Sequence, residues 1–243
     1  MKIHTYYTDC IGHNPEDEFK LICLWREAWS AQGLEPVVLN EWQARQHPRF
    51  AEFNNHVSQL PTINSPAYER ACFLRWLALA AVGGGLMADY DVFPVTPEAA
   101  SIIAGSIPPT YDDLQERSTK DYLLMFQMRN VCPSLVFATE AVALRVCDLF
   151  MTSANGRRDM NGKSHVSDQY VLEDWVATSP DWLKQCDVVR DYQGTPDWDR
   201  FPCVHFNNGS MVPRGLSPRW KHIPDLLGNL RSNAGLEGND GTG

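Results

Sequence analysis

The stretch Arg75–Asp91, RWLALAAVGGGLMADYD, decides the fold. Its first half continues a helix that opens at Ser65-Pro66, and the spacing predicts that helix over Pro66–Val82. Ala67, Ala71, Leu74, Leu77, Ala78 and Ala81 give it a wide apolar face of small residues, suited to close packing on a sheet. Gly83-Gly84-Gly85 ends the helix, because glycine takes the left-handed turn without a Cβ clash. Leu86-Met87-Ala88 reads as a short buried strand that delivers Asp89 and Asp91 to its end. In an extended strand, residues two apart share a face. Two carboxylates on one face repel unless a cation neutralises them. Mg²⁺ or Mn²⁺, commonly held by one or two carboxylates plus substrate phosphates, is the natural occupant.

Working outward, Lys2–Tyr7 predicts a first strand and Pro36–Leu39 a second. Between them Asn14 caps a helix, Pro15 sits in its first turn, and Glu16-Asp17-Glu18 face the positive end of its dipole. Phe19, Ile22, Cys23 and Trp29 recur at helical spacing, and Gly33 stops the helix. Strand, helix, strand opens an α/β domain, and such open sheets place ligands outside the carboxyl ends of their strands. Glu41–Leu60 holds one or two short helices. Further on, Tyr122–Gln127 and Leu135–Ala138 predict strands, Glu140–Met151 a helix, and Ala154–Ser164 a polar loop. Ser167 caps a helix running through Ala177, and Val188-Val189 and Cys203–Phe206 are short strand candidates. We read one domain over residues 1–231 and a Gly- and Asn-rich disordered tail over 232–243.

The net charge is -9 and the pI about 5.2, which argues against a broad nucleic-acid footprint. No apolar run reaches the ~18 residues of a membrane span. The seven cysteines are scattered and show no ligand spacing, so they read as reduced thiols of a cytosolic protein. The glycine stretch is no phosphate-binding loop, since it lacks the GKS or GKT ending and follows a helix instead of preceding one. A phosphohydrolase using the two acids as nucleophile and proton donor wants them after the first strand, with a threonine where Phe93 stands.

The pattern R-x(7)-G-G-x(4)-D-x-D, supplied by Arg75, Gly83, Gly84, Asp89 and Asp91, resembles the DXD-motif sugar-binding-region glycosyltransferases. These include α-mannosyltransferases, α-1,4-galactosyltransferases and, more distantly, the clostridial glucosylating toxins. Trp76 and Leu79 are in register. Lys2–Thr8 resembles the family's first strand, and Trp29, Gly33 and Leu34–Leu39 its helix and second strand. Val204–Ser210 resembles its closing histidine segment. Cys72, Met87 and Met211 depart from the pattern. Cys72 replaces an aspartate that helps hold the nucleoside, so the chain reads as a divergent member.

The resemblance implies a single GT-A-like α/β domain with a Rossmann-like central sheet and flanking helices. It implies a metal-dependent enzyme that moves a hexose from a nucleotide-diphosphate sugar, foremost a UDP-sugar, to a hydroxyl with retention. Its acceptor class stays open among glycan, lipid-linked glycan, protein and modified nucleic acid. Asp91 and Asp89 would hold Mn²⁺ or Mg²⁺ together with His205. Asp89 and Arg75 would touch the donor sugar, and Asn208 and Ser210 would close the diphosphate site. On chemistry more than alignment, Asp168-Gln169 at a helix start can meet sugar or acceptor, and Asn130 can reach the sugar from a strand end. Arg157, Arg158 and Lys163 can clamp phosphates as a lid. Each residue also has a plainer reading: a salt bridge for Arg75, a strand histidine for His205, a first-turn acid for Asp168 and a turn residue for Asn130. A non-catalytic nucleotide-sugar binder is the alternative to the enzyme. A cytoplasmic enzyme of bacterial or viral origin is the expected setting.

Overall fold

The computed structural model describes residues 1–9, 14–107, 123–126, 132–152, 157–158, 162–178, 183–194 and 201–233. In chain order its elements begin with β1 (Lys2–Tyr6), α1 (Pro15–Ala31), β2 (Glu35–Leu39), α2 (Glu41–Gln46), α3 (Phe50–Val57), α4 (Pro66–Ala81) and β3 (Gly84–Ala88). There follow β4 (Val92–Pro94), α5 (Ala99–Ser106), β5 (Leu123–Met125), β6 (Leu135–Thr139), α6 (Glu140–Thr152), β7 (Arg157–Arg158), β8 (Ser164–His165) and α7 (Asp168–Val176). The chain ends in β9 (Leu183–Gln185), β10 (Val189–Asp191), β11 (Cys203–His205), α8 (Asn208–Met211), a 3₁₀ turn at Val212–Arg214, and α9 (Arg219–Asn233).

A six-stranded mixed sheet in the order β2-β1-β3-β6-β5-β9 forms the centre. Its first three strands run parallel, which requires the long crossovers made by α1 and by α2 to α4. β6 then runs antiparallel to β3. Alternation along the strands divides the core. Ile3 of β1 and Leu86 and Ala88 of β3 join Trp25, Trp29, Phe93 and Phe206 on one side. Tyr6 and Met87 join Leu74, Trp76, Leu77 and Phe150 on the other. The α/β architecture expected from the sequence is therefore present: a central mixed sheet with helices on both faces.

The helix signals hold where they are local. Asn14 Oδ1 accepts from Glu16 N at 3.0 Å, and Pro15 opens α1. α4 is buried nearly all round from Phe73 to Ala80, so its apolar character extends beyond a single face. Gly84 has φ +82°, and a Cβ there would lie 2.5 Å from the Ala138 carbonyl oxygen. Only glycine lets β3 and β6 approach that closely.

Some expectations need correction. The buried stripe of α1 is Glu18, Leu21, Ile22, Trp25 and Trp29, while Phe19 is 64% exposed. The two tryptophans bury more apolar surface than Phe19 and set the rotation of the helix. Part of the loop Ala154–Ser164 is strand: β7 pairs antiparallel with β8. β4, α5, β9 and α9 were not expected, and α9 carries helix through Asn233. The expected tail beyond it lies outside the described residues. No helix among the described residues is long and apolar enough to cross a membrane.

Candidate functional site

β3 stops at Ala88 because the chain turns. Val92 N donates to the Asp89 carbonyl at 2.9 Å, closing a tight turn across Asp89-Tyr90-Asp91. β4 then leaves for a second sheet of three strands, β10-β11-β4. The two acids thus converge through a turn and a change of sheet, not through one strand's pleat as the spacing suggested.

The second sheet supplies the other half of the site. β11 lies antiparallel to β4 with His205 opposite Val92, and parallel to β10 with Asp191 opposite His205. Phe206 N donates to the Asp91 carbonyl at 2.8 Å. This register sets Asp91, His205 and Asp191 abreast. His205 Nε2 lies 3.2 Å from Asp91 Oδ1 and 4.0 Å from Asp89 Oδ2. Its Nδ1 lies 2.8 Å from Asp191 Oδ1, which also accepts from Asn207 Nδ2 at 3.0 Å.

Asp89, Asp91 and His205 each offer one ligand atom, all within 4.8 Å of one another. Two carboxylate oxygens and an imidazole nitrogen suit Mn²⁺ and related divalent ions. Asp191 behind His205 is the carboxylate that metal-bound histidines commonly have on their other ring nitrogen, fixing tautomer and ring orientation. The donor set therefore fits a divalent cation.

Two arginines flank the acids. Arg75 Nη1 donates to Asp89 Oδ1 at 2.6 Å, and its Nη2 donates to Asp168 Oδ2. Asp168 also accepts from Trp76 Nε1 at 3.3 Å and from Gln169 N at 2.8 Å. On the other side Arg219, the first residue of α9, pairs with Asp91 and with Glu18 of α1. Five carboxylates thus face two guanidinium groups and one imidazole, a surplus of negative charge that a cation would relieve.

The same charges set the titration of these groups. Burial pushes the Asp89 carboxyl up to about 6, with Arg75 pulling the other way. Burial also opposes ionisation of Asp91, but His205 and Arg219 outweigh it and hold that carboxyl well below the usual range. His205 is held well above its ordinary value: burial opposes its charge, and Asp91 and Asp191 overcome the burial.

These groups line a cleft of about 370 Å³ at the carboxyl ends of β1 and β3. Of the residues singled out from the sequence, Arg75, Asp89, Asp91, Asp168, Gln169, His205 and Asn208 line it. Ser210 is not among the described lining residues. Its hydroxyl donates to the Asn207 carbonyl at 2.9 Å and serves the turn of α8. Asn130 lies outside the described residues, as do the side chains of Arg157 and Arg158. Lys163 is described and exposed but does not line the cleft. Arg219, Asp191, Asn207, Tyr6, Tyr68 and Cys132 line the cleft without having been singled out. Asn207 could have been found from the sequence, as an N-cap after the third strand of the second sheet.

Just outside the cleft, Glu69 is 4% exposed. Its Oε1 accepts from Asn64 Nδ2 at 2.5 Å and lies 3.7 Å from His165 Nε2, while Oε2 has no partner among the described residues. Burial pushes this carboxyl up to about 7 from 4.5, with Asn64 working against the shift. A raised carboxyl pKa favours the protonated folded state. Stability is therefore lost as pH rises from the unfolded value through the folded one. Glu69→Gln should match the wild type near pH 4 and exceed it at pH 8 by on the order of 3 kcal/mol. Urea unfolding at the two pH values measures the difference; equal gains at both would show that ionisation of Glu69 is not the cause.

The chain belongs to the family described as "Domain of unknown function (DUF8765)", whose model matches residues 1–126. No curated protein matches it. Two solved structures are similar over most of the chain. One is titled a glycosyltransferase involved in the glycosylation of the major capsid of PBCV-1, with 14% identity, 92% of this chain and 98% of that chain covered, and a TM-score of 0.49. The other is mouse xyloside xylosyltransferase 1 in its apo form, with 9% identity, 86% and 99% covered, and a TM-score of 0.48.

Proposed function

We propose that this chain is a metal-dependent glycosyltransferase that moves a hexose from a nucleotide-diphosphate sugar, foremost a UDP-sugar, to a hydroxyl, with retention. The observation that carries this reading is the convergence of Asp89, Asp91 and His205 in one cleft, with Asp191 behind His205. The R-x(7)-G-G-x(4)-D-x-D pattern supports the choice of sugar transfer over other cation chemistry.

Asp89, Asp91 and His205 would hold Mn²⁺ or Mg²⁺. Bound there, the ion supplies Lewis-acid stabilisation of charge developing on the leaving diphosphate. The cleft has a net negative lining, so an anionic donor binds only when a cation accompanies it. Arg75, held between Asp89 and Asp168, presents a fixed planar donor group toward the sugar. Gln169 and Asn208 offer amides to sugar hydroxyls and phosphate oxygens. Tyr68, 40% exposed at the rim, offers an aromatic face for a base or sugar ring.

Thermal shift with UDP- and GDP-sugars, with and without Mn²⁺, tests the reading. Stabilisation should need nucleotide and cation together and reach several degrees at ~100 times the Kd. A matching donor should also be hydrolysed slowly without acceptor. Shift without turnover would identify a nucleotide-sugar binder. No shift with any donor in Mn²⁺ would defeat the proposal.

A further inference from the structure

Glu18 and Arg219 stand 201 residues apart in sequence, yet both are buried beside Asp91: Glu18 is 7% exposed, Arg219 6% and Asp91 8%. The first turns of α1 and α9 meet there. Trp220 Nε1 donates to Asp17 Oδ1 at 2.6 Å, and Lys20 Nζ lies 4.5 Å over the Trp220 ring. The adjacent residue on each helix, Glu18 after Asp17 and Arg219 before Trp220, turns inward. Arg219 Nη2 donates to Glu18 at 3.3 and 3.4 Å, while Nη1 donates to Asp91 Oδ2 and, at 3.4 Å, to the Phe206 carbonyl. The Tyr90 ring lies 5.8 Å from the guanidinium.

We infer that Arg219, braced by Glu18, is a positioning residue for Asp91: it takes one carboxylate oxygen and leaves the other to face His205 and the cation. This deepens the metal-site reading above and rests on it. Two partners of Arg219, Asp91 and the Phe206 carbonyl, have a geometric consequence. A carboxylate can turn about its last side-chain bond or chelate through both oxygens. Occupation of Oδ2 leaves Oδ1, 3.2 Å from His205 Nε2, as the oxygen directed into the cleft. The Phe206 carbonyl ties the same guanidinium to the end of β11, so the histidine strand and Asp91 keep one spacing. Glu18 balances the charge of Arg219, which would otherwise oppose a second cation nearby. Hence α9 is part of the cation site, although it contributes no ligand.

A charge count alone gives the opposite expectation. Deleting a cation beside Asp91 should strengthen binding of another cation, so a neutral substitution confounds charge with geometry. Arg219→Lys keeps the charge and loses the planar fork. Glu18→Asp keeps the charge and draws the brace back from Arg219 by one methylene. Both should weaken Mn²⁺ alone, as loss of such supporting partners does, by about 10- to 100-fold in Kd. The readout is the electron paramagnetic resonance signal of free Mn²⁺ titrated into the full chain, with melting followed in parallel by circular dichroism. Weaker Mn²⁺ binding by both folded variants supports the inference. Wild-type affinity in both, with or without a lower Tm, would overturn it and leave Arg219 as an interhelical clamp. Absence of Mn²⁺ binding by the wild type would instead remove the metal-site reading, and this inference with it.

Discussion

Asp91→Asn is expected to lower Mn²⁺-dependent donor turnover roughly 10³-fold, about 4 kcal/mol of transition-state stabilisation. The asparagine fills the same volume and offers a neutral oxygen in place of an anionic ligand. Folding should survive, because Arg219 keeps Glu18 as its counter-ion and the turn at Asp89–Val92 is closed by backbone alone. The same substitution at Asp89 should do less. The Asp89 side chain is 30% exposed against 12% for Asp91, and it shares its charge with Arg75. The check is turnover of a matched donor in Mn²⁺ and in EDTA for the wild type and both variants. Equal turnover of the wild type in the two media would sink the metal dependence. Full activity of Asp91→Asn would displace Asp91 from the site.

The parts of this architecture that could be read from the sequence are those with local causes. Asn14-Pro15, Ser65-Pro66 and Ser167 mark helix starts within a few residues, and three of the predicted strands are continuous apolar runs. Gly83 to Gly85 mark the end of α4, whereas the close approach of β3 to β6 at Gly84 emerges only from the strand pairing. β4 was not legible, because three residues after a turn carry no period. Its absence from the reading misplaced the two acids on one strand face. Asp191 and Arg219 were missed for a different reason. A short Val-Arg-Asp segment and an arginine at a helix start look like ordinary surface charge. Only the register of β10 against β11, and the docking of α9 on α1, gives them a destination. Glu18 is the plainest case: it follows Glu16, which is exposed, and Asp17, which is half-buried, in the same first turn, and nothing local tells it apart from them.

Arg75 separates two roles that the sequence left open, and the structure gives it both a partner set and a place in the cleft. Its side chain is 10% exposed and bridges Asp89 and Asp168, the latter only 7% exposed. Removing one member of a buried ionic group leaves the others uncompensated, at a cost of about 3–5 kcal/mol. Arg75→Met is therefore expected to lower the melting temperature by roughly 10 °C in a chain of this size. Asp168→Asn should cost much less, since Arg75 keeps Asp89 and the asparagine can still accept from Trp76. The double variant should recover part of the loss of Arg75→Met, because it removes one of the two orphaned charges. That recovery is the coupling a double-mutant cycle measures. Arg75→Lys is the discriminating variant for function: it retains the charge, so the fold should hold, while a single ammonium cannot span Asp89 and Asp168 in one plane. Weaker donor binding at nearly wild-type melting temperature would assign Arg75 to the donor. A collapsed melting temperature with unchanged donor affinity in the folded fraction would assign it to the scaffold that holds Asp89 in place.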